Sequence, residues 1–212
     1  MLFPITHKGV LPSLRTSEKF CGQEYIGNHR HAGKPLTILS EIPNFDVVLG
    51  LPPDPMHQFD MGVAKRLAKE ILEGMTDAQI KRIDLAVGKF GHSLPSSMFP
   101  RKISALSNYS DWKATEGRQF LLYAIPAVLS DFLPPDKYLS LCRLSAALKL
   151  LSSWDLSDEA ITLAEIELYR FVDWYPQFSA GGPIYCIHML THVGCLYRYY
   201  GPIITFSCYP FE

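Results

Sequence analysis

Pro134-Pro135-Asp136-Lys137-Tyr138-Leu139-Ser140-Leu141-Cys142-Arg143-Leu144-Ser145-Ala146-Ala147-Leu148-Lys149-Leu150-Leu151-Ser152-Ser153 reads as one long helix. The proline pair opens it, because a ring at the first helical position sacrifices no intrahelical hydrogen bond. Leu139, Leu141, Cys142, Leu144, Ala147, Leu148 and Leu151 surround its axis, a distribution that predicts a central helix buried on all sides. Such a helix needs other helices around it, and the flanking sequence supplies them. Downstream, Ser157 caps a second helix whose first turn carries Asp158 and Glu159, where carboxylates favour the positive end of the helix dipole. Its stripe is Ile161, Ala164, Leu168, Phe171, Val172 and Tyr175, and Pro176 is expected to stop it. A last helix is expected from Pro183 to Gly201-Pro202, with proline at its start and glycine at its end.

Upstream, residues 112–125 are helical with a largely apolar second half, and Pro126 should kink or end them. Thr76-Asp77 start a helix that carries Ile80, Ile83 and Val87 on one face and ends near Gly88. Asp54-Pro55 starts another, the carboxylate capping free amides, which runs to about Gly74. Residues 91–110 form a Ser/Pro-rich connection. The residues before Asp54 are rich in Gly, Pro, His and Asn without helical period, and only 36–39 and 45–49 offer candidate strands. The expected fold is mainly α, about six helices with an irregular N-terminal arm: arm 1–54, helical domain 55–202 and a return segment 203–212.

Composition fits one domain with a substantial core: 48% of the 212 residues are hydrophobic and 12% aromatic. Net charge is −1, yet Lys and Arg number 15 against 12 acids up to residue 120 and 5 against 9 beyond it. That asymmetry favours an anionic partner on the N-terminal part. No apolar run reaches the roughly 20 residues a membrane helix needs, and Met1-Leu2-Phe3-Pro4 is too short for a signal peptide. Five cysteines, at 21, 142, 186, 195 and 208, form no CxxC pair and fit reduced thiols better than a disulfide framework. An intracellular protein without a membrane partner is expected.

Several constellations could carry chemistry. His188 and His192 stand four apart, on one face of the last helix, where they could share a metal ion or be core imidazoles hydrogen-bonded to neighbours. Cys195 could join them as a third ligand or be a small apolar filler. Asp54 and His57 could position a metal or a phosphate, or be an N-cap with a local hydrogen bond. Asp60 reads as a solvated helix residue. Cys21, His29 and His31 match no standard metal spacing. Arg101, Lys102, Lys113 and Arg118 could contact DNA phosphates or form a solvated face with Lys113 paired to Asp111 or Glu116. Lys65, Arg66 and Lys69 read as solvated, and Trp112, Trp154 and Trp174 as core anchors.

A set of ordered motifs resembles a known family. Leu11-Pro-Ser-Leu-Arg-Thr-Ser-Glu-Lys-Phe20, His31-Ala-Gly-Lys-Pro-Leu36, Leu51-Pro-Pro-Asp-Pro-Met-His57 leading into Gly62-Val63, Phe99-Pro-Arg-Lys-Ile103, Trp112-Lys-Ala-Thr-Glu-Gly-Arg-Gln-Phe-Leu-Leu-Tyr123, His188 and His192, then Gly201-Pro202, Phe206-Ser207 and Pro210-Phe211-Glu212, look like the transposases of CACTA (En/Spm-type) DNA transposons. The resemblance implies the helical insertion of an RNase H-like nuclease with an Asp-Asp-Glu triad. Such enzymes cleave and join DNA in the nucleus with two Mg²⁺ ions held by carboxylates. It implies that Glu212 is the last acid of the triad, that the two aspartates and a CxxC pair precede the matched segment, and that this chain is inactive alone. It further implies structural Zn²⁺ at His188 and His192, transposon-end DNA as partner, and self-association. The other expectation is a domesticated, non-catalytic helical module that binds DNA or protein.

Overall fold

The computed structural model describes residues 16–21, 37–179 and 181–211. The chain divides between Pro53 and Asp54 into two compact units. In the first unit, α1 is a short helix, Ser17–Cys21, and Ile38–Glu41 is a 3₁₀ turn capped by the Thr37 hydroxyl. The strands expected at 36–39 and 45–49 are not formed, residue 36 lying outside the described residues. Asp46 explains the second: its carboxylate accepts from the backbone N–H of Val48 and Leu49, holding the chain in a turn where a strand would need those amides for a ladder. His29 and His31 lie outside the described residues.

The second unit is mainly α-helical, and its described residues build the six expected rods. The first starts with wide π-type turns over Met56–Val63 and tightens into α2, Ala64–Leu72. Helix α3, Asp77–Ser93, is held at its start by a reciprocal cap: Thr76 Oγ accepts from Gln79 N–H while the Gln79 side chain accepts from Thr76 N–H. It runs past Gly88, since glycine within a helix weakens it without breaking it. The third rod combines α4, Ala114–Gln119, a π-type stretch Phe120–Ala124 and α5, Ile125–Val128. Pro126 does not end this rod, because it falls at the start of α5, where its ring costs little.

Helix α6, Pro135–Leu150, packs along α7, Asp158–Phe178. The all-round burial expected of α6 is not found: Leu141, Leu144, Ala147 and Leu148 are buried, whereas Leu139, Arg143, Ala146 and Lys149 face solvent. Helix α7 passes through Pro176 and ends at Phe178, because a proline in the last turn removes one N–H and keeps a helical φ. The final rod is α8, Tyr185–Met189, a 3₁₀ turn Leu190–His192 and α9, Val193–Tyr200. Gly201 ends it with φ +77°, a left-handed conformation that costs glycine nothing.

The core joins Leu67, Ile83, Leu106, Trp112, Phe120, Leu144, Phe171 and Tyr175. Trp112 is fully buried and Trp174 packs on the core, but Trp154 is 66% exposed, since it sits in the turn between α6 and α7. Arg66 is not a solvated residue. It donates to Glu70, Tyr175 and Ser179, and Tyr175 in turn donates to both Glu70 oxygens, a part-buried network that ties α2 to α7. Lys65 donates to the Ser110 carbonyl, and Lys69 pairs with Glu73 at 3.8 Å on the surface.

The return segment is two further 3₁₀ turns, Ile203–Phe206 and Tyr209–Phe211. Ile203 is buried and its N–H donates to the Leu151 carbonyl, while Phe211 is 88% exposed. No described helix is long and apolar enough to cross a membrane.

Candidate functional site

Asp54 sits where the first rod begins, and proline at 55 frees its carboxylate from any need to cap that residue. Oδ2 accepts from His57 N–H at 2.9 Å and contacts His57 Nδ1 at 2.5 Å. Oδ1 accepts from the backbone N–H of Cys208 at 2.7 Å, a contact spanning 154 residues. Capping and tertiary stapling are therefore the work of one side chain. Burial pushes the Asp54 pKa up, but the hydrogen bonds from Cys208 and His57 outweigh it and hold the carboxyl below its usual value.

One and a half turns on, Asp60 is buried rather than solvated, with 8% of its surface exposed. The wide π-type turns aim it at the return segment, and Tyr209 donates its hydroxyl to Oδ2 at 2.8 Å. Burial pushes the Asp60 carboxyl up to about 7, against the attraction of Arg118 and the Tyr209 hydrogen bond, with Asp54 adding repulsion. Arg118 lies over the Tyr209 ring at 5.6 Å from its centroid. Burial likewise pushes the Tyr209 phenol upward, and the neighbouring Asp60 adds to it.

Beside this pair opens a cleft of about 260 Å³ whose lining includes Phe99, Arg101, Arg118, Tyr123 and Tyr209. The structure thus brings two of the four basic residues together. Arg101 is exposed and reaches Glu116 at 3.9 Å. Lys102 instead donates to the Leu94 carbonyl, which ties down the loop before it. Lys113 is exposed and makes its contact with Glu116 through its backbone N–H. Glu116 also accepts from Ser104 N–H and Oγ, so this buried acid anchors the connection that carries Phe99 and Arg101.

His188 and His192 share a face as the spacing requires, with Nε2 atoms 3.2 Å apart and both rings half-buried. That separation suits a hydrogen bond between the two rings and equally the roughly 3.3 Å between two ligand nitrogens on one tetrahedral zinc. Among the described residues no Cys, Asp or Glu completes a three-ligand group with them. Cys195 is not that ligand; it is half-buried with its thiol pushed up by burial and by Glu165. The three-ligand group that does form among the described residues is Asp54, His57 and Cys208. Its imidazole and thiol suit zinc-class ions better than Mg²⁺, which prefers hard oxygen ligands. Glu212 lies outside the described residues.

Asp60, Cys208 and Tyr209 are the participants that sequence reasoning missed. The available signal was Asp54, His57 and Asp60 at three-residue spacing beside a Pro-rich start, a repeat that favours one side of a helix. Nothing local marks Cys208 as a partner of Asp54. No family model, characterised protein or solved structure matches this chain.

Proposed function

We propose that the chain is the DNA-holding helical insertion of a transposon-derived DDE-type transposase resembling those of CACTA elements, acting in the nucleus on transposon-end DNA. The reading rests on the ordered motifs and on one geometric observation. The segment that leads to Glu212 returns to the start of the helical body, where Cys208 meets Asp54 and Tyr209 meets Asp60, beside the cleft that holds Arg101 and Arg118. A basic cleft with aromatic walls suits a nucleic-acid strand, arginine meeting phosphate while rings stack on bases. The triad's two aspartates have no assigned counterpart here, so no catalytic step is assigned to this chain.

The test is binding of the purified chain to duplex and single-stranded DNA across a salt series. Arg101→Ala with Arg118→Ala should lower affinity and reduce the slope of log K against log salt by about 1.5 to 2. Salt-independent binding, or affinity unmoved by the double substitution, would reject the reading. The burial of Ile203 and its bond to Leu151 favour a second reading, a domesticated module that needs no nuclease core. DNA binding without any strand transfer from a version extended upstream to include two aspartates would select it.

A further inference from the structure

We propose that Asp54, His57 and Cys208 form a binding site for a zinc-class divalent metal ion that clamps the return segment to the start of the first rod. One carboxylate oxygen, one ring nitrogen and the Cys208 sulfur lie within 4.8 Å of one another. Ligand atoms around tetrahedral zinc stand roughly 3.3 to 3.6 Å apart, given bonds of about 2.0 Å to oxygen and nitrogen and 2.3 Å to sulfur. The 4.8 Å bound lies about an ångström above the zinc spacing, and the 2.5 Å contact of His57 Nδ1 with Asp54 Oδ2 opens by a similar amount for both groups to share one ion. The backbones need not move, because Asp54 already fixes both other residues through His57 N–H and Cys208 N–H. Asp54 accepts from the backbone N–H groups of Cys208, His57 and Met56, and the lone pair that now meets His57 Nδ1 turns to the ion when that ring binds it.

The ligand chemistry selects the ion. A thiolate and an imidazole exclude the alkaline-earth ions and match zinc or cobalt, with the carboxylate as third ligand and a fourth position open to water or an incoming group. The charge balance is simple: the divalent ion enters, the Cys208 thiol loses its proton to solvent, and the sulfur binds as thiolate. His57 is half-exposed and Cys208 half-buried, so the ion has an entry path from the surface. This site is separate from His188 and His192 and does not rest on the transposase reading.

Cobalt titration of the full purified chain tests it, since Co²⁺ takes zinc sites and absorbs through a thiolate bond. One equivalent per chain should raise a thiolate-to-cobalt band. Cys208→Ser should abolish the band, His57→Ala should weaken affinity at least tenfold, and His188→Ala with His192→Ala should leave both unchanged. No band, or one that survives Cys208→Ser with helix content intact by circular dichroism, overturns the proposal. A second measurement needs no variant: Zn²⁺ should slow alkylation of Cys208 at least tenfold relative to Cys142, followed by mass spectrometry. Equal protection of the two thiols would also overturn it.

Discussion

Asp60 shows how one buried carboxyl sets a pH dependence. Its ordinary value of 3.8 rises to about 7 in the fold, so between those values the folded state holds a proton that the unfolded state has released. The stability it contributes is therefore fully present below about pH 4 and is lost as the pH rises through 7. Arg118, Tyr209 and Asp54 face it, and the first two only partly offset the desolvation. Asp60→Asn keeps an acceptor for Tyr209 and removes the charge. The variant should be more stable than the parent at pH 8, by up to about 4 kcal/mol, with no difference at pH 4. Urea unfolding at both pH values checks it, and parallel behaviour of the two proteins would refute the burial argument. Arg66→Ala has the opposite sign. Glu70 has 2% of its side chain exposed and would lose its cation, so a cost of about 2 kcal/mol is expected, while Tyr175 keeps its own hydrogen bonds to Glu70.

At the scale of elements, the crossing of the first and third rods depends on Gly117. A Cβ there would stand 1.8 Å from the Asp60 carbonyl oxygen and 3.1 Å from Ala64 Cβ, and backbone cannot yield as a flexible side chain can. Gly117→Ala should cost about 3 kcal/mol and loosen Asp60 from Tyr209. Gly88 offers the contrast within α3. Nothing lies within 4 Å of a Cβ added there, so Gly88→Ala should gain about 0.5 to 1 kcal/mol from helix propensity alone. Thermal unfolding of the two variants separates packing from propensity, and equal shifts would contradict the close crossing. The helix ends follow local chemistry where caps are strong, as at Thr76 and Ser157. Where proline was expected to kink or end a helix at 126 and to stop one at 176, the rods continue, because the ring falls at the start of α5 and in the last turn of α7, where one missing N–H costs little.

For the whole molecule, the proposed function makes a negative prediction: the purified chain should not nick supercoiled DNA in Mg²⁺. Nicking that disappears in Glu212→Ala would place a complete catalytic set within these 212 residues and overturn the present reading. The return segment is half integrated. Ile203 is buried, Ile204 is 37% exposed and Phe211 88% exposed, so the segment leaves one large apolar side chain, Phe211, almost wholly in solvent. That pattern predicts self-association at high concentration which Phe211→Ser relieves with less than about 0.5 kcal/mol change in stability, measurable by light scattering and unfolding together.

Helix number and most helix starts were legible in the sequence because capping, periodicity and proline placement act within a few residues. So was the shared face of His188 and His192, since a four-residue separation holds them together even through a 3₁₀ turn. Local patterning could not say which side of α6 would meet solvent, because Leu139 and Leu141 look alike until a neighbouring helix covers one of them. Nor could it separate Arg66, engaged in a buried network, from Lys69 on the same helix. The site itself was a tertiary decision. Asp54 met Cys208 and Asp60 met Tyr209 across long stretches of chain, beside a cleft that Arg101 and Arg118 both line, and only packing determines which distant polar groups come together.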